Sequence, residues 1–250
     1  MKPDYKKLRI YENIELCSGI YKMVLEREEA MDINPGQFYM LKAEVMEPLL
    51  GRPISLCSYD KDRLEFIYQV YGKGTEIFSK LKSGDYINVL GPLGNGFDLR
   101  EAVGNIAIVS GGIGIAPMKE LAKSINKAGL HSNVDLYSGF RDEIYLIDDI
   151  KPYVNKVSIS TDTGSRGHKG FVTDIFDPSK YDVVFCCGPE LMMKNVVETC
   201  KSKAVKVYVS TEKHMACGVG ACLVCTCKTK FGNKRSCKDG PVFLGEHIVF

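Results

Sequence analysis

The chain has 250 residues, 45% of them apolar, and a formal net charge of +2 with lysines and arginines scattered along its length. That composition is ample for buried cores and excludes a disordered chain, while the dispersed, near-neutral charge excludes a dedicated nucleic-acid surface and a polybasic membrane anchor. The opening stretch MKPDYKKLRIYENIEL has neither the apolar core nor the small-residue cleavage site of a secretory signal, and no apolar run approaches bilayer length, so a cytoplasmic location is expected.

From residue 5 to about 100 the pattern is short and strand-like: KLRIYENIEL, GIYKMVLERE, GQFYMLKA, PISLCSYD, RLEFIYQVYG and YINVLGPL, separated by the turn signals NPG, EPLLG, KSGD and GPLGNG. Short strands with turns between them predict an antiparallel barrel or sandwich, with TEIFSKLK as one short helix. Near residue 100 the rhythm changes. NIAIVSG, NVDLYSG, KVSISTD, YDVVFCCG and VKVYVS alternate with helical PMKELAKSINKAG and PELMMKNVVETCKSK, the pattern of a parallel sheet with helices over its faces. After Ser210 the periodicity stops, leaving a cysteine-rich loop and a short strand-like end, PVFLGEHIVF. The expected division is an antiparallel β-barrel over 1–100, an α/β domain over 101–210 and a thiol-rich region over 211–250.

Ten cysteines in a reducing compartment argue against a disulfide framework. Clustered thiols then read as metal ligands, and the scattered Cys17, Cys57 and Cys200 as buried small hydrophobes. Cys217, Cys222, Cys225 and Cys237 follow C-x4-C-x2-C-x11-C, and a C-x4-C-x2-C run with a distant fourth Cys is the plant-ferredoxin spacing for a 2Fe-2S centre. Ala216, Gly218, Gly220 and Ala221 leave room for backbone to fold around inorganic sulfides and donate N–H bonds to them. Zinc is the rival, because four thiolates also close a tetrahedral site, although zinc ribbons usually pair two C-x2-C knuckles and this loop has one. Cys227 is the spare thiol; an extended segment would point it away from the centre that Cys225 serves.

In GRPISLCS an Arg-Pro pair opens a strand and Ser55 follows two residues after Pro53. An Arg fork suits a pyrophosphate and a hydroxyl or backbone N–H suits an isoalloxazine ring, yet taken alone Arg52 reads better as a surface arginine before an edge strand. In VYGKGTEIFSKL, Gly72 and Gly74 precede Thr75, which reads as a helix N-cap whose neighbouring amides make an anion site. Two such contacts on one barrel favour a bound dinucleotide. In SGGIGIAPMKEL, Gly111, Gly112 and Gly114 follow a strand and open a helix with Pro117 near its first turn; this is related to G-x-G-x-x-G but lacks the third glycine position. Its place at the carboxyl end of a parallel strand favours a cofactor role over a tight turn. CCGPELMM repeats the layout around Cys187 and Gly188, and STDTGSRGHKG is a polar loop that suits an adenosine ribose or simply water.

Taken in order, RPIS, YGKGT, GPLGNGFDL, GGIGIAPM, CGPELMM and the thiol loop resemble the ferredoxin reductase superfamily. With EKHMACGVGACLVCTCKT and CKDGPVF, nearly the whole chain is similar to the family of electron-transfer subunits of NAD-dependent (class 1B) dihydroorotate dehydrogenase. The resemblance implies a barrel that binds FAD, an α/β domain that binds NAD and a C-terminal 2Fe-2S loop. Carried over by motif, FAD contacts Arg52, Pro53, Ile54 and Ser55, then Ile67, Tyr68 and Gln69, then Gly74 and Thr75, and the cluster ligands are Cys217, Cys222, Cys225 and Cys237. It also implies a heterotetramer of two such chains with two FMN-bearing catalytic subunits, which oxidise dihydroorotate to orotate in pyrimidine synthesis. The added Cys227 and the doubled Cys186 and Cys187 depart from the pattern, leaving the fourth ligand and the nicotinamide-side thiol open.

On that resemblance electrons enter the cluster from the partner's FMN, move singly to FAD and leave as a hydride to the nicotinamide, a conversion between one- and two-electron steps that a flavin performs. No general acid or base is needed, so no catalytic side chain is expected, and His131, His168, His214 and His247 are placed at surface or cap positions. Ser55 is expected near the flavin ring and Cys187 near the nicotinamide. Asp162 would repel a 2′-phosphate and favour NAD, whereas Arg166, His168 and Lys169 would attract one. Two rivals stay open: another flavin and iron–sulfur NAD(P)H oxidoreductase subunit exchanging electrons with ferredoxin, and a nucleotide-binding module with a structural zinc.

Overall fold

The structure, a computed structural model, describes residues 5–27, 32–44, 48–129 and 133–250. The N-terminal strands are β1 (Lys6–Cys17), β2 (Ile20–Glu26), β3 (Phe38–Ala43), β4 (Arg52–Tyr59), β5 (Arg63–Gln69) and β6 (Tyr86–Leu93), with the helix α1 (Lys73–Lys80) between the last two. They close into an antiparallel barrel in the order β1-β2-β5-β4-β3-β6, which leaves no free edge. Strand alternation sorts the side chains. Leu64, Phe66 and Tyr68 of β5 and Tyr39 and Leu41 of β3 fill the barrel, whereas Ile67 and Cys57 face outward into the core of the next domain, and Phe38 and Met40 face outward against the C-terminal loop.

Helix α1 starts earlier than the sequence suggests. Gly72, at a φ of 100° that glycine tolerates, is the N-cap, and Thr75 is the third helical residue. The assignment of Thr75 as the cap is therefore corrected, because its hydroxyl reaches backward: Oγ1 accepts from the Tyr71 N–H at 2.8 Å and donates to the Gly72 carbonyl at 3.2 Å.

The second domain contains β7 (Asn105–Gly111), α2 (Ala116–Lys127), β8 (Asn133–Phe140), α3 (Ile147–Ile150), β9 (Lys156–Thr161), β10 (His168–Lys169), β11 (Val183–Cys187), α4 (Glu190–Ser202) and β12 (Lys206–Ser210). These strands are mutually parallel, and buried residues cover both faces of the sheet. Beyond them lie the hairpin β13 (Thr226–Thr229) and β14 (Gly232–Arg235), then β15 (Val242–Leu244), which pairs antiparallel with β12 and completes the order β10-β9-β8-β7-β11-β12-β15. The C-terminal segment thus spans both domains. Its hairpin carries Thr, Lys, Gly and Asn in place of apolar alternation, so periodicity could not announce it. Among the described residues no helix is long and apolar enough to cross a membrane.

Candidate functional site

On the barrel the structure brings the two expected anion contacts together. Arg52 opens β4, and its guanidinium lies against Gly74 so closely that a β-carbon there would collide with Nε. Arg52 Nη1 also donates to the Leu50 carbonyl at 2.9 Å, which fixes the fork beside the start of α1. Pro53, Ile54 and Ser55 follow on the same strand, half-buried and paired with Met40, Tyr39 and Phe38 of β3. Gln69 is exposed at the end of β5. Tyr68 is placed otherwise. Its ring is buried in the barrel, 5.6 Å from Tyr21, with its hydroxyl on Asn13 Oδ1 at 3.0 Å, and Ile67 packs in the interdomain core. These two residues can offer a cofactor backbone only, whereas the neighbouring strand offers side chains.

The second constellation sits where the strand order reverses, between β7 and β11, the position at which open α/β sheets bind ligands. Gly111 ends β7 and Gly188 follows β11. A β-carbon on Gly188 would come 2.8 Å from the Gly111 nitrogen, and one on Gly114 would collide with the Cys187 carbonyl, so the two loops touch backbone to backbone. Gly112 takes φ 52° and faces open space. Cys187 points into the apolar interior, only 1% exposed; burial, then the Glu212 charge and Cys186, push its thiol well above the ordinary range. Its backbone, not its sulfur, lines the crevice. In the polar loop 160–170, the Asp162 N–H donates to the Arg141 carbonyl at 2.9 Å, and the Arg166 N–H donates to Thr161 Oγ1 at 3.3 Å.

The thiols form two pairs. Hydrogen bonding links Cys217 with Cys222 and Cys225 with Cys237, and Cys237 also feels the charge of Cys217. The Ala221 N–H donates to Cys217 Sγ at 3.3 Å and the Cys237 N–H to Cys225 Sγ at 3.4 Å. Burial pushes the Cys217 thiol up, but donation from Cys222, Val219 and Ala221 outweighs it and holds it at about 6. Such amides stabilise a thiolate before any metal arrives. Among the described residues no three Cys, His, Asp or Glu side chains converge as they would around a single ion. Two thiol pairs suit a centre of two metal atoms, each taking two sulfurs, so the donor set fits an iron–sulfur cluster.

Glycines and one ion pair make the fit. A β-carbon on Gly218 would press on Met40 at 2.7 Å and one on Gly220 on Lys238 at 2.8 Å. Arg235 grips both Asp239 oxygens at 3.0 Å and donates from Nη1 to the Gly220 carbonyl at 3.1 Å, tying the first thiol pair to the second. Cys227 lines a cleft with Gly188, Met193 and Phe250, opposite to the barrel-facing Cys225, as alternation implies. Sequence reasoning missed Arg235, Asp239, Phe38 and Met40. An Arg and an Asp four apart around Cys237, one of the spaced thiols, was the available signal for the first two.

Cys57 and Cys200 are fully buried as expected, and Cys17 is half-buried. His168 and His214 are exposed, and His247 meets the Phe231 ring edge-on at 4.8 Å. His131 lies outside the described residues.

Residues 7–97 match the family model of the oxidoreductase FAD-binding domain, and residues 212–249 match that of the iron–sulfur cluster binding domain of dihydroorotate dehydrogenase B. The two matches define an oxidoreductase with a flavin domain and an iron–sulfur domain. Over its full length the chain is 57% identical to the dihydroorotate dehydrogenase B (NAD(+)) electron transfer subunit of Clostridium perfringens (strain 13 / Type A), covering 100% of both proteins. It is 39% identical to the corresponding subunit of Listeria monocytogenes serotype 4b (strain F2365), covering 97% of this chain and 98% of the other. The chain belongs to the family of dihydroorotate dehydrogenase B electron-transfer subunits. Among solved structures it is similar to an NADH-dependent reduced ferredoxin-NADP oxidoreductase, with a TM-score of 0.86 and 29% identity over 100% of this chain and 91% of that one. A ferredoxin NADP+ reductase from Neisseria gonorrhoeae shares the fold, with a TM-score of 0.68 at 18% identity over 80% of this chain and 91% of that one.

Proposed function

We propose that this electron-transfer subunit carries electrons from the FMN of a dihydroorotate-oxidising catalytic subunit to NAD+, within a cytoplasmic heterotetramer of two chains of each kind. A flavin, when bound, supplies the exchange between single electrons and a hydride that the reaction requires. The observation that supports this route is a shared barrel face. Phe38 and Met40 pack against Cys225 and Cys237, and they are the direct cross-strand partners of Ser55 and Pro53. Neighbouring strands lie about 4.8 Å apart, so the thiol loop rests one strand away from the residues assigned to FAD.

Each group has a defined task in this reading. Arg52 and the start of α1 at Gly74 hold the FAD pyrophosphate, Thr75 fixes that helix start, and Pro53, Ile54 and Ser55 present one strand to the ring. Ile67 and Tyr68 contribute main chain, and Gln69 an exposed amide. Gly111, Gly112 and Gly114, with the backbone of Cys187 and Gly188, cradle the nicotinamide dinucleotide. Cys217 and Cys222 ligate one iron of a 2Fe-2S centre, and Cys225 and Cys237 the other. Asp162 disfavours a 2′-phosphate and sets the preference for NAD over NADP.

The test is purification with and without an FMN-bearing catalytic subunit, followed by iron and flavin analysis and dihydroorotate-dependent reduction of NAD+. The expected result is a complex carrying FMN, FAD and two irons per chain of this subunit, active with dihydroorotate. The similarity to the ferredoxin-linked oxidoreductase supports a second reading, exchange with ferredoxin. Turnover with ferredoxin and none with dihydroorotate would establish that reading instead.

A further inference from the structure

Between the barrel and α2 lies a polar network in which two adjacent residues of one helix reach two strands. Glu120 is only 3% exposed. Its carboxylate accepts from Ser58 Oγ at 2.9 Å, from the Tyr59 N–H at 3.2 Å, from Lys123 Nζ at 3.2 Å and from Ser124 Oγ at 3.3 Å. Lys123 Nζ also donates to the Tyr59 carbonyl at 2.6 Å and to Ser58 Oγ at 3.1 Å. One turn of the same face away, Lys119 Nζ meets Glu65 Oε1 at 2.7 Å, both side chains mostly buried, and the Cys57 thiol donates to that same oxygen at 3.3 Å.

Stability alone does not account for placing these charges here. A buried ion pair is frequently no better than apolar side chains of the same size, because desolvation offsets the attraction. Charges and directed hydrogen bonds do supply a unique register, and this register joins two particular things. α2 begins at Ala116, two residues after Gly114 of the glycine loop, while Ser58 and Tyr59 end the strand that begins with Arg52–Ser55, and Glu65 lies two residues before Ile67 on the next strand. Each end of the network is therefore connected by rigid backbone to one half of the cofactor arrangement.

We propose that Glu120, Lys119 and Glu65 are positioning residues that hold the glycine loop in hydride-transfer register with the flavin-bearing strands. This rests on the proposed FAD and NAD sites. Transfer between two bound rings requires near-contact geometry, and a displacement of about 1 Å can lower such a rate on the order of 100-fold. A network that only stabilises the fold would have no such effect once stability is restored.

The experiment uses the FAD-loaded full chain with its cluster, mixed anaerobically with NADH. Flavin reduction is followed by stopped flow, along with the long-wavelength charge-transfer absorption of stacked nicotinamide and flavin, and thermal unfolding is measured on the same samples. The variants are E120A, E120Q and the apolar pair K119M/E65L. The proposal expects E120A to reduce flavin about 10- to 100-fold more slowly, with a weakened charge-transfer band and a larger isotope effect from 4-deuterated NADH. E120Q, which can still accept from Ser58 and Tyr59, should recover most of the rate. The apolar pair should unfold near the wild-type temperature and still react slowly. Wild-type rate and band intensity in a stably folded K119M/E65L protein, together with an E120A whose flavin reduction is unchanged, would overturn the proposal. A wild-type protein whose bound FAD is not reduced by NADH at all would overturn the site assignment beneath it.

Discussion

The thiol loop and the crevice between β7 and β11 build their sites in opposite ways. The four spaced thiols Cys217, Cys222, Cys225 and Cys237 all lie within residues 217–237, and their geometry is set by local amides, glycines and the Arg235–Asp239 pair. The crevice joins Gly111–Gly114 to Cys187–Gly188 across a long interval of chain, and its shape depends on strand order and on backbone touching backbone. A local site is modular and fails at its ligands; a distributed one is tolerant of side chains but fails when its packing is forced apart.

The largest effect should come from one of the four thiols proposed to hold the cluster. Cys225→Ser should lose most of the iron and the cluster absorption while the barrel, formed by β1–β6, keeps its flavin; iron and flavin analysis of one preparation checks both. Retention of full iron would break the comparison. Next comes Gly114→Val, whose β-carbon would strike the Cys187 carbonyl. It should lower stability by about 1–3 kcal/mol and slow NADH-dependent flavin reduction about tenfold or more while leaving the iron content intact.

Arg235→Ala tests the support of the thiol loop and should weaken iron retention about tenfold against a chelator, with little change in global stability. The Arg235 side chain, then its backbone N–H, holds the Asp239 carboxyl down at about 2, below its ordinary 3.8. A depressed carboxylate contributes its stability above the unfolded value and loses it as pH falls through the folded one. The small wild-type advantage over R235A in thermal unfolding should therefore be full above about pH 4 and fade toward pH 2. The smallest effect belongs to Tyr68→Phe, which removes the bond to Asn13 and should cost about 1 kcal/mol in thermal unfolding. FAD affinity should not change, because that ring faces the barrel interior; a lower affinity in flavin titration would mean that the hydroxyl, not the main chain, meets the cofactor.

The same contrast explains what the sequence revealed. Cys217, Cys222, Cys225 and Cys237 carry a spacing that chemistry alone constrains, and the barrel strands show turns and apolar runs at regular intervals. The contact between Arg52 and Gly74, by contrast, depends on barrel closure, which no local pattern encodes. Thr75 misled because a hydroxyl beside two glycines looks like a cap, whereas the positive φ at Gly72 had already started the helix. Glu120 could not be read at all: within PMKEL it resembles a solvated residue, and only the barrel packed against α2 buries it.

Re-oxidation by NAD+ of the fully reduced protein, followed at the cluster absorption, tests the route most directly. With FAD bound, the cluster should give up its electron on mixing with NAD+; with FAD removed, it should stay reduced. A cluster that re-oxidises equally fast without FAD, or not at all with it, would contradict a path that runs across the shared barrel face.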